Sequence, residues 1–454
     1  MAYLSFDPWL QKSVGSYAET SSEEMRGIIY EAETAFNLWH KAPVPERCER
    51  LLSLRDSISS RRTELAVMMA SEMGKPVTQG VAEIDKCALL CSYYAENAEK
   101  MLMPEKRISS AHESHVHFEA QGIILGIMPW NFPFWQVFRF MVPVVTGGNS
   151  ALLKHASNVP RCAAAIEEVM KSAGFPSGLF RSIFPSHAQI AELISSPQIR
   201  GVSLTGSNAA GIEIASIAGR HLKKVVMELG GSDPFIVFPD ADIDNAAEAA
   251  VVSRFQNCGQ SCIAAKRLII HSDIYDRFKS RLLEKVTALK VGDPLDSSTE
   301  VGPMVSTVAA DELERQLDKS VEMGAKAICG GRNRDMGPAV FNPSIVEKVP
   351  LSAPLACDEV FGPVAPLFIF KSSEEAVKMA NSTPFGLGAS VWSAHVSLAK
   401  EIAREIDTGT VAINGYVKSE PGLPFGGVKD SGFGRELAIE GLREFLNIKT
   451  INIF

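Results

Sequence analysis

Apolar residues recur along this chain at two different periods. From Ser21, which forms a capping-box pattern with Glu24, they return at helical spacing, and this predicts helices throughout the first hundred residues. From residue 122 onward, short apolar runs alternate with helix-like stretches. Strands that alternate with helices are typical of a parallel sheet covered by helices, so the chain is predicted to be an α/β protein.

Two α/β units are predicted. The first has strands at 122–128, 150–154, 179–184, 201–204 and 224–229, separated by helices at 160–173, 187–195 and 208–219. The second follows residue 262 and has strands at 266–271, 327–329 and 364–370, with a helix at 274–289.

Two alternating segments stand outside these units. Residues 114–118 place His115 and His117 on one face, which predicts a strand in a hairpin with 122–128. Residues 446–454 alternate apolar and polar side chains and predict a last strand. We expect this strand to pair with the early hairpin or with another subunit.

Length and charge exclude several classes of protein. A chain of 454 residues that is 46% hydrophobic exceeds one small core, so two or three domains are expected. The formal net charge of -8 argues against nucleic acid and anionic membranes as partners. The longest apolar region, 132–145, contains Arg139 and is broken by prolines, so no membrane-spanning segment is predicted. No secretory signal is visible at the amino terminus.

The cysteines show neither a disulfide framework nor a zinc pattern. Cys258 and Cys262 are four residues apart but lack a matching histidine pair. The histidines at 112, 115 and 117 lack a cysteine or carboxylate spaced to complete a site. We therefore predict no metal, and we predict the reducing cytoplasm as the location of the protein.

Cys262 is the candidate nucleophile. It follows a predicted buried helix at 242–257 and lies in a turn that contains Gly259, so the thiol is expected on a rigid connection with a lowered pKa. One alternative is that Cys262 is a buried small apolar residue. Another is a cysteine protease, but Ile263 stands where the papain-type sequence has an aromatic residue.

Three other clusters carry chemistry that suits such a nucleophile. Asn131 lies between two prolines that fix its backbone, so its amide is a good oxyanion donor. Gly206 and Ser207 lie where a strand ends and a helix begins, and free N–H groups there favour a diphosphate. Glu228 ends an apolar strand ahead of two glycines, where burial can raise its pKa toward neutrality and make it a base.

Together these residues resemble the NAD(P)-dependent aldehyde dehydrogenases, and within them the succinate-semialdehyde dehydrogenases. The resemblance covers essentially the whole chain. It rests on motifs that occur in the family's order at 129–133, 205–207, 228–231, 259–262, 359–363 and 424–427 with 431–432.

The resemblance implies a fold of three parts. A Rossmann-type cofactor domain would comprise residues 1–101 and 121–230, and an α/β catalytic domain would comprise residues 231–430. A small β extension for oligomerisation would comprise residues 102–120 and 431–454. A homodimer or a dimer-of-dimers tetramer is also implied.

The resemblance further implies roles for individual residues. Cys262 would attack the aldehyde carbon, Asn131 and the Cys262 backbone N–H would hold the oxyanion, and a hydride would pass to the cofactor. Glu228 would activate the water that cleaves the resulting thioester, which favours hydrolysis over acyl transfer to coenzyme A. The residues implied in cofactor binding are Trp130, Lys154, Ser157, Gly206, Ser207, Leu229, Glu359 and Phe361.

The segment from Lys154 to Ser157 bears on the choice of cofactor. Many NAD-preferring relatives carry a glutamate in place of Ser157, where it would repel a 2′-phosphate. Serine removes that charge and can donate a hydrogen bond, while Lys154 supplies a cation. We therefore expect NADP as the preferred cofactor, with NAD used less efficiently.

Arg139 bears on the substrate, because an arginine among aromatic residues should have an anionic partner. Relatives that resemble succinate-semialdehyde dehydrogenases have an arginine there, and Ser419 matches a serine they use near the carboxylate. Trp135 and Phe425 would form apolar walls. The expected reaction is therefore oxidation of succinate semialdehyde to succinate.

Other interpretations remain open. Arg139 could belong to a structural salt bridge, and Gln256 stands where some succinate-semialdehyde enzymes carry a second arginine. The chain could then be a broader-specificity dehydrogenase for neutral or other semialdehyde substrates. A non-catalytic structural or binding protein on the same fold is the alternative of another class, and the intact Cys262, Glu228 and Asn131 argue against it.

Overall fold

The structure, a computed structural model, describes residues 3–454. An antiparallel hairpin of β1 (Tyr3–Asp7) and β2 (Lys12–Tyr17) comes first. Four helices follow, namely α1 (Ser22–Trp39), α2 (Val44–Ser60), α3 (Arg62–Met73) and α4 (Val77–Leu102). The predicted capping box begins α1, since the Ser21 hydroxyl accepts from Glu24 N–H and the Glu24 carboxylate accepts from Ser21 N–H.

The prediction of helices throughout the first hundred residues is wrong for the β1–β2 hairpin. Strand β1 buries alternate residues, Tyr3, Ser5 and Asp7, and packs beside α3. The Tyr3 hydroxyl donates to the Pro185 carbonyl at 2.6 Å. Strands this short have too few positions to show the alternation of apolar and polar residues that predicts a strand. Their burial becomes evident only when the helix that they cover is known.

The first α/β unit has the predicted strands and helices. After β3 (Glu105–Lys106) and β4 (Glu113–Ala120), its strands are β5 (Ile123–Met128), β6 (Ser150–His155), β7 (Phe180–Ile183), β8 (Ile199–Thr205) and β9 (Lys224–Glu228). Its helices are α5 (Trp135–Thr146), α6 (Pro160–Ser172), α7 (His187–Ser195) and α8 (Asn208–Arg220). The strands are parallel in the order β9-β8-β5-β6-β7.

Two apolar clusters cover the two faces of this sheet. On one face, α5 and α6 pack together with helices α2, α3 and α4. On the other face lie α7, α8 and the first turns of α1. The sheet is therefore buried on both sides, as its continuous apolar runs require.

The second α/β unit forms a mostly parallel sheet in the order β12-β13-β14-β11-β10-β16-β17, with only β12 antiparallel to its neighbour. Its strands are β10 (Asp233–Val237), β11 (Ala265–His271), β12 (Lys326–Arg332), β13 (Phe341–Glu347), β14 (Val364–Phe370), β16 (Gly388–Trp392) and β17 (Thr410–Ile413). The short strand β15 (Phe385–Gly386) lies outside this sheet. The helices of the second unit are α9 (Ile243–Phe255), α10 (Tyr275–Thr287), α11 (Thr307–Glu322), α12 (Pro354–Cys357), α13 (Ser373–Ala380) and α14 (Val396–Glu405). The predicted α/β class is confirmed.

The carboxyl-terminal part contains β18 (Val428–Lys429), β19 (Gly432–Phe433), α15 (Ala438–Arg443) and β20 (Leu446–Ile453). Strand β20 is antiparallel to β4, so the expected pairing with the early strand is confirmed. The expected hairpin of β4 with residues 122–128 is wrong. Strand β5 lies between β6 and β8 instead, because its nearly continuous burial requires a central position whereas β4 is mostly half-buried. Strand β19 pairs with β9 of the first sheet.

Candidate active site

The carboxyl edge of the first sheet gathers most of the candidate residues. Chain order along the sheet diverges between β5 and β8, and in such sheets ligands bind in the crevice outside the strand ends at that point. The segment that carries Trp130 and Asn131 follows β5, and Gly206 follows β8. Glu228 ends β9 at the same edge.

A cavity of about 250 Å³ occupies this crevice. Its lining brings residues of the second unit against the sheet edge. The lining residues are Pro129, Trp130, Asn131, Gln136, Thr205, Gly206, Ser207, Leu229, Gly230, Cys262, Glu359 and Phe361. The predicted nucleophile, the predicted oxyanion donor and most of the predicted cofactor residues therefore face one space.

The catalytic loop, residues 256–262, holds Cys262 in place at the end of α9. Asn257, Cys258 and Gly259 all have positive φ angles of 55°, 56° and 69°. Left-handed backbone costs about 1–2 kcal/mol for each non-glycine residue, so such a run persists only where its surroundings determine it. At Gly259 a side-chain carbon would also lie 2.5 Å from the Gly362 carbonyl oxygen, so no larger residue fits.

Arg254, at the end of α9, makes many of the hydrogen bonds that hold the loop in this conformation. Its buried guanidinium donates to the carbonyls of Val364 at 2.6 Å, Val360 at 2.9 Å and Gly259 at 3.3 Å, and also to the Gly362 carbonyl. Burial lowers the Arg254 pKa to about 9. This one side chain ties the catalytic loop to the segment next to Glu359 and Phe361.

Asn131 is anchored from both sides. Its buried side-chain amide donates to the Gln260 carbonyl at 3.1 Å, and its own backbone carbonyl accepts from Asn257 Nδ2 at 2.7 Å. Behind it, His155 Nε2 donates to the Pro133 carbonyl at 2.9 Å, and burial lowers the His155 pKa to about 4, so the ring stays neutral. The second N–H of the Asn131 amide is left to donate to an oxyanion.

The Cys262 thiol is less acidic than the sequence predicted. It is half-buried, and burial raises its pKa to about 11, although Lys266 and Arg139 act in the opposite direction. The prediction of a lowered pKa is therefore wrong for this structure. The physical reason is that the thiolate loses hydration in the crevice, and the nearby cations do not offset that loss.

Lys266 is a residue of this site that the sequence analysis missed. Its fully buried ammonium donates to the carbonyls of Cys262 at 2.7 Å and Gly231 at 2.8 Å, and to Glu359 Oε1 at 2.9 Å. These three bonds use all its donors. A lysine four residues after the candidate nucleophile, inside an apolar strand, was the available signal.

Glu228 is buried with an open carboxyl group. Within residues 3–454 neither carboxyl oxygen has a hydrogen-bond partner. Burial raises its pKa well above the ordinary value, Glu436 raises it further, and Arg139 and Arg435 lower it. The direction agrees with the expectation of a base whose pKa is shifted toward neutrality. At Gly426 a side-chain carbon would lie 2.8 Å from Oε1, so the glycine keeps space beside the carboxyl.

Arg139 is already paired within the protein. It is fully buried and forms a salt bridge with Glu436, which is also buried. Its guanidinium lies 4.5 Å from the centroid of the Phe425 ring, and Nη2 lies 3.4 Å from the Thr205 hydroxyl. The structural salt bridge that the sequence left open is therefore present, and Glu436 takes the place expected for an anionic partner of Arg139.

The predicted substrate residues Trp135 and Ser419 meet in a group that we call the Lys86 corner, which consists of Lys86, Trp135 and Ser419. The Ser419 hydroxyl oxygen accepts from Lys86 Nζ at 2.8 Å and from Trp135 Nε1 at 3.0 Å. Lys86 Nζ also lies 4.0 Å from the centroid of the Trp135 ring. The sequence analysis missed Lys86, whose signal was its place beside the buried face of α4 that carries Glu83 and Cys87.

The predicted cofactor residues line the other end of the cavity. The rings of Trp130 and Phe361 meet edge to face at 5.8 Å, and Glu359 Oε1 also accepts from Gly231 N–H at 3.1 Å. Ser207 caps α8 by accepting from the Ala210 N–H. A side-chain carbon at Gly206 would have only a Leu204 methyl within 4 Å, at 3.6 Å, so this turn leaves room beside the start of α8.

Lys154 and Ser157 lie at the end of β6 and in the turn after it, at the same edge of the sheet but outside the lining of the cavity. Lys154 is half-buried, and burial lowers its pKa. Ser157 is exposed. Leu229 contacts α8, since a side-chain carbon at Gly211 would lie 2.6 Å from a Leu229 methyl.

Two kinds of feature are absent from residues 3–454. No cluster of histidine, cysteine, aspartate and glutamate side chains is arranged to hold a metal ion. None of the helices combines the length and the apolar character needed to cross a membrane.

Comparison with known proteins gives matches over the whole chain. A model of the aldehyde dehydrogenase family matches residues 2–451. The chain is 43% identical over 451 residues to a probable NADP(+) succinate-semialdehyde dehydrogenase of Synechocystis, with 99% of each chain covered. It is 40% identical over 454 residues to an NADP(+) succinate-semialdehyde dehydrogenase of Mycobacterium tuberculosis, again with 99% of each covered.

The crystal structure of succinic semialdehyde dehydrogenase from Streptococcus pyogenes in complex with NADP+ is similar over 100% of both chains. Its TM-score is 0.97 at 34% sequence identity. The resemblance stated from the sequence motifs is confirmed, and so is the overall aldehyde dehydrogenase fold.

Proposed function

The chain belongs to the aldehyde dehydrogenase family, and on that premise we propose that it oxidises succinate semialdehyde to succinate with reduction of NADP. The observation that carries the proposal is the cavity in which Cys262 and Asn131 face Glu359 and Phe361. Similar proteins that carry the name of this activity, from Synechocystis and Mycobacterium tuberculosis, support the choice of substrate.

Cys262 performs the first step. Its Sγ forms a bond to the aldehyde carbon as the thiol gives its proton to solvent water, and the carbonyl oxygen becomes an oxyanion. The free N–H of the Asn131 amide and the Cys262 backbone N–H donate to that oxyanion, and removal of one such donor typically lowers kcat about 10²–10³-fold. Anchoring of Asn131 by Gln260 and Asn257 keeps the donor in position before substrate arrives.

The cofactor site fits a dinucleotide. The start of α8 beside Gly206 offers backbone N–H groups to a diphosphate, and Glu359 offers a carboxylate to ribose hydroxyls. NADP held there would supply a hydride acceptor for the carbon that Cys262 has attacked. The Trp130 and Phe361 rings give that end of the cavity apolar walls.

Glu228 performs the last step. Oxidation leaves an acyl group on Sγ, and Glu228 takes a proton from a water that attacks the acyl carbon. The carbon–sulfur bond breaks, the acid leaves, and Cys262 is regenerated. The absence of any protein hydrogen bond to either Glu228 oxygen within residues 3–454 supports this role, because the carboxyl can then accept from water.

Preference for NADP over NAD rests on Lys154 and Ser157. The exposed Ser157 hydroxyl and the Lys154 ammonium lie at the sheet edge that holds the cofactor site, and neither side chain adds a negative charge there. A 2′-phosphate is attracted by a cation and accepts hydrogen bonds from a hydroxyl. The S. pyogenes structure holds NADP+ as its cofactor, which supports the same choice.

The proposal is tested by initial rates of cofactor reduction with succinate semialdehyde and with butanal, each with NADP and with NAD. We expect the highest kcat/KM for succinate semialdehyde with NADP, and no activity from a Cys262→Ala control. A higher kcat/KM for butanal would contradict the substrate and favour a dehydrogenase of broader specificity. An equal or higher value with NAD would contradict the cofactor preference.

We also propose a homodimer or a dimer of dimers in the cytoplasm, with the division into domains stated from the resemblance. Strand β20 is an edge strand of its sheet and exposes Ile448, Ile451 and Ile453. Unpaired edges with apolar side chains favour association with another chain. Light scattering should therefore give a mass of two or four chains, and a single-chain mass at micromolar concentration would contradict the assembly.

A further inference from the structure

Lys86 is a cation that forms no salt bridge within residues 3–454. Its side chain is half-buried where α4 meets α5. Within residues 3–454 its only hydrogen bond is the one to Ser419 Oγ, and it forms no salt bridge. An ammonium group has three N–H donors, so two remain unused. Burial of a charge with unused donors is costly unless an anion completes the site.

Ser419 has a hydroxyl proton left to donate. A serine hydroxyl has two lone pairs and one O–H donor. The N–H groups of Lys86 and Trp135 occupy both lone pairs of Ser419, so the O–H is left to donate. The Lys86 corner therefore presents one hydroxyl proton and two ammonium protons, and within residues 3–454 it has no acceptor for them. This is the complement of a carboxylate, which only accepts.

Arg139 differs from Lys86 because its charge already has a carboxylate partner. It is paired with buried Glu436, whereas Lys86 forms no salt bridge within residues 3–454. Trp135 of the Lys86 corner begins α5 four residues after Asn131, which lines the cavity beside Cys262, and Cys262 packs against the apolar cluster that contains Trp135. A short substrate held by its carboxylate at the corner would therefore have its aldehyde end toward Cys262.

We propose that Lys86, with Ser419 as second donor, donates hydrogen bonds to the carboxylate of the semialdehyde substrate. Arg139 contributes to the same region through its salt bridge to Glu436 and its contact with the Phe425 ring. This inference rests on the proposed function, because it concerns an anionic aldehyde as substrate. It assigns the specificity to a residue on α4, outside the motifs by which the family is recognised.

The charge of Lys86 gives the proposal a pH signature. Burial is the main cause that lowers the Lys86 pKa, to about 8, and Arg139 lowers it further, while Cys87, Glu83 and Glu420 act in the opposite direction. The ammonium is therefore present below about pH 8 in the free enzyme and is lost as the pH rises through that value. kcat/KM reports groups of the free enzyme, so its ratio for succinate semialdehyde over butanal should fall above about pH 8.

The decisive variant is Lys86→Met, which keeps the length of the side chain and removes the charge. We expect the KM for succinate semialdehyde to rise about 10- to 100-fold, since a charge-assisted hydrogen bond is lost, while the KM for butanal changes less than about threefold. Lys86→Arg should restore most of the preference. Lys100→Met, which removes an exposed lysine from the same helix, is the matched control and should behave as the unmodified enzyme.

Each result separates this inference from the proposed function. If the unmodified enzyme prefers butanal, the proposed function fails first. If it prefers succinate semialdehyde and Lys86→Met keeps that preference, the role of Lys86 is refuted while the function stands. Equal losses with both substrates would also overturn it, because they would indicate a structural role. The pH profile of the unmodified enzyme needs no variant, and a ratio that stays constant from pH 7 to pH 9 would count against Lys86 even if Lys86→Met failed to fold.

Discussion

The catalytic loop and the Lys86 corner are both built around buried cations, but they leave different numbers of donors unused. Arg254 donates to four carbonyls around the catalytic loop, and Lys266 uses all three of its protons. Lys86 uses one. Polar groups with most or all of their positions bonded hold the shape of this site, while groups with more open positions, Lys86 and Glu228, are available to substrate and water.

The two regions also differ in backbone. The catalytic loop contains consecutive left-handed residues that Arg254 holds in place, whereas the Lys86 corner is built largely on two regular helices, α4 and α5. Precise placement of the nucleophile thus uses a strained loop with many internal bonds, and recognition of the substrate uses rigid helices with open side-chain donors.

Removal of the nucleophile should give the largest effect. In Cys262→Ala we expect kcat to fall at least about 10³-fold, because no other group can form the acyl intermediate. Cofactor binding, followed by quenching of tryptophan fluorescence, should persist, since the fully bonded parts of the site are intact. Retention of more than a tenth of the rate would refute Cys262 as the nucleophile.

Loss of the Glu228 carboxyl should affect only the hydrolysis of the thioester. In Glu228→Gln we expect steady-state turnover to fall about 10²–10³-fold, because the water loses its base. A rapid burst of reduced cofactor, one per active site, should remain, since Cys262 and Asn131 are unchanged. Stopped-flow absorbance measures both phases. A burst that disappears together with the slow phase would mean that Glu228 acts before the thioester forms.

Loss of Arg254 should affect stability. Arg254→Met leaves several buried carbonyls without a donor, and we expect the free energy of unfolding to fall by about 3 kcal/mol. Denaturant titration measures this change, with Arg277→Met, which removes an exposed arginine of α10, as control. Lys86→Met should cost less than about 1 kcal/mol by the same measurement, and equal losses in the two variants would break the comparison between the regions.

The pH dependence should give the smallest and most gradual effect. Burial raises the Cys262 pKa to about 11, so the thiol is mostly protonated near neutral pH, and burial also raises the Glu228 pKa above its ordinary value. As the pH rises, a larger fraction of the enzyme carries these groups in their deprotonated, reactive form. For butanal we expect kcat/KM to increase with pH by up to about tenfold per unit between pH 6 and pH 9. A flat profile would indicate that the pKa of the Cys262 thiol is far below about 11.

Much of the fold followed from local patterns. The strands and helices of the first unit were recognisable because continuous apolar runs and helical periodicity are properties of short segments. The β1–β2 hairpin and the position of β5 were not, because a hairpin covered by α3 and the choice of neighbours in a sheet depend on segments far apart in the chain.

The candidate active site shows the same difference between local patterns and contacts of distant segments. The amino-acid sequence specifies which groups are present: a thiol at Cys262, an amide at Asn131, a carboxyl at Glu228, and the motif order that identifies the family. How each group is partnered and charged depends on the folded structure. It paired Arg139 with Glu436, left Lys86 open beside Ser419, and raised the pKa of Cys262 instead of lowering it. The physical reason is that pKa and hydrogen-bond satisfaction depend on burial and on neighbours brought together from distant parts of the chain, which no local pattern encodes.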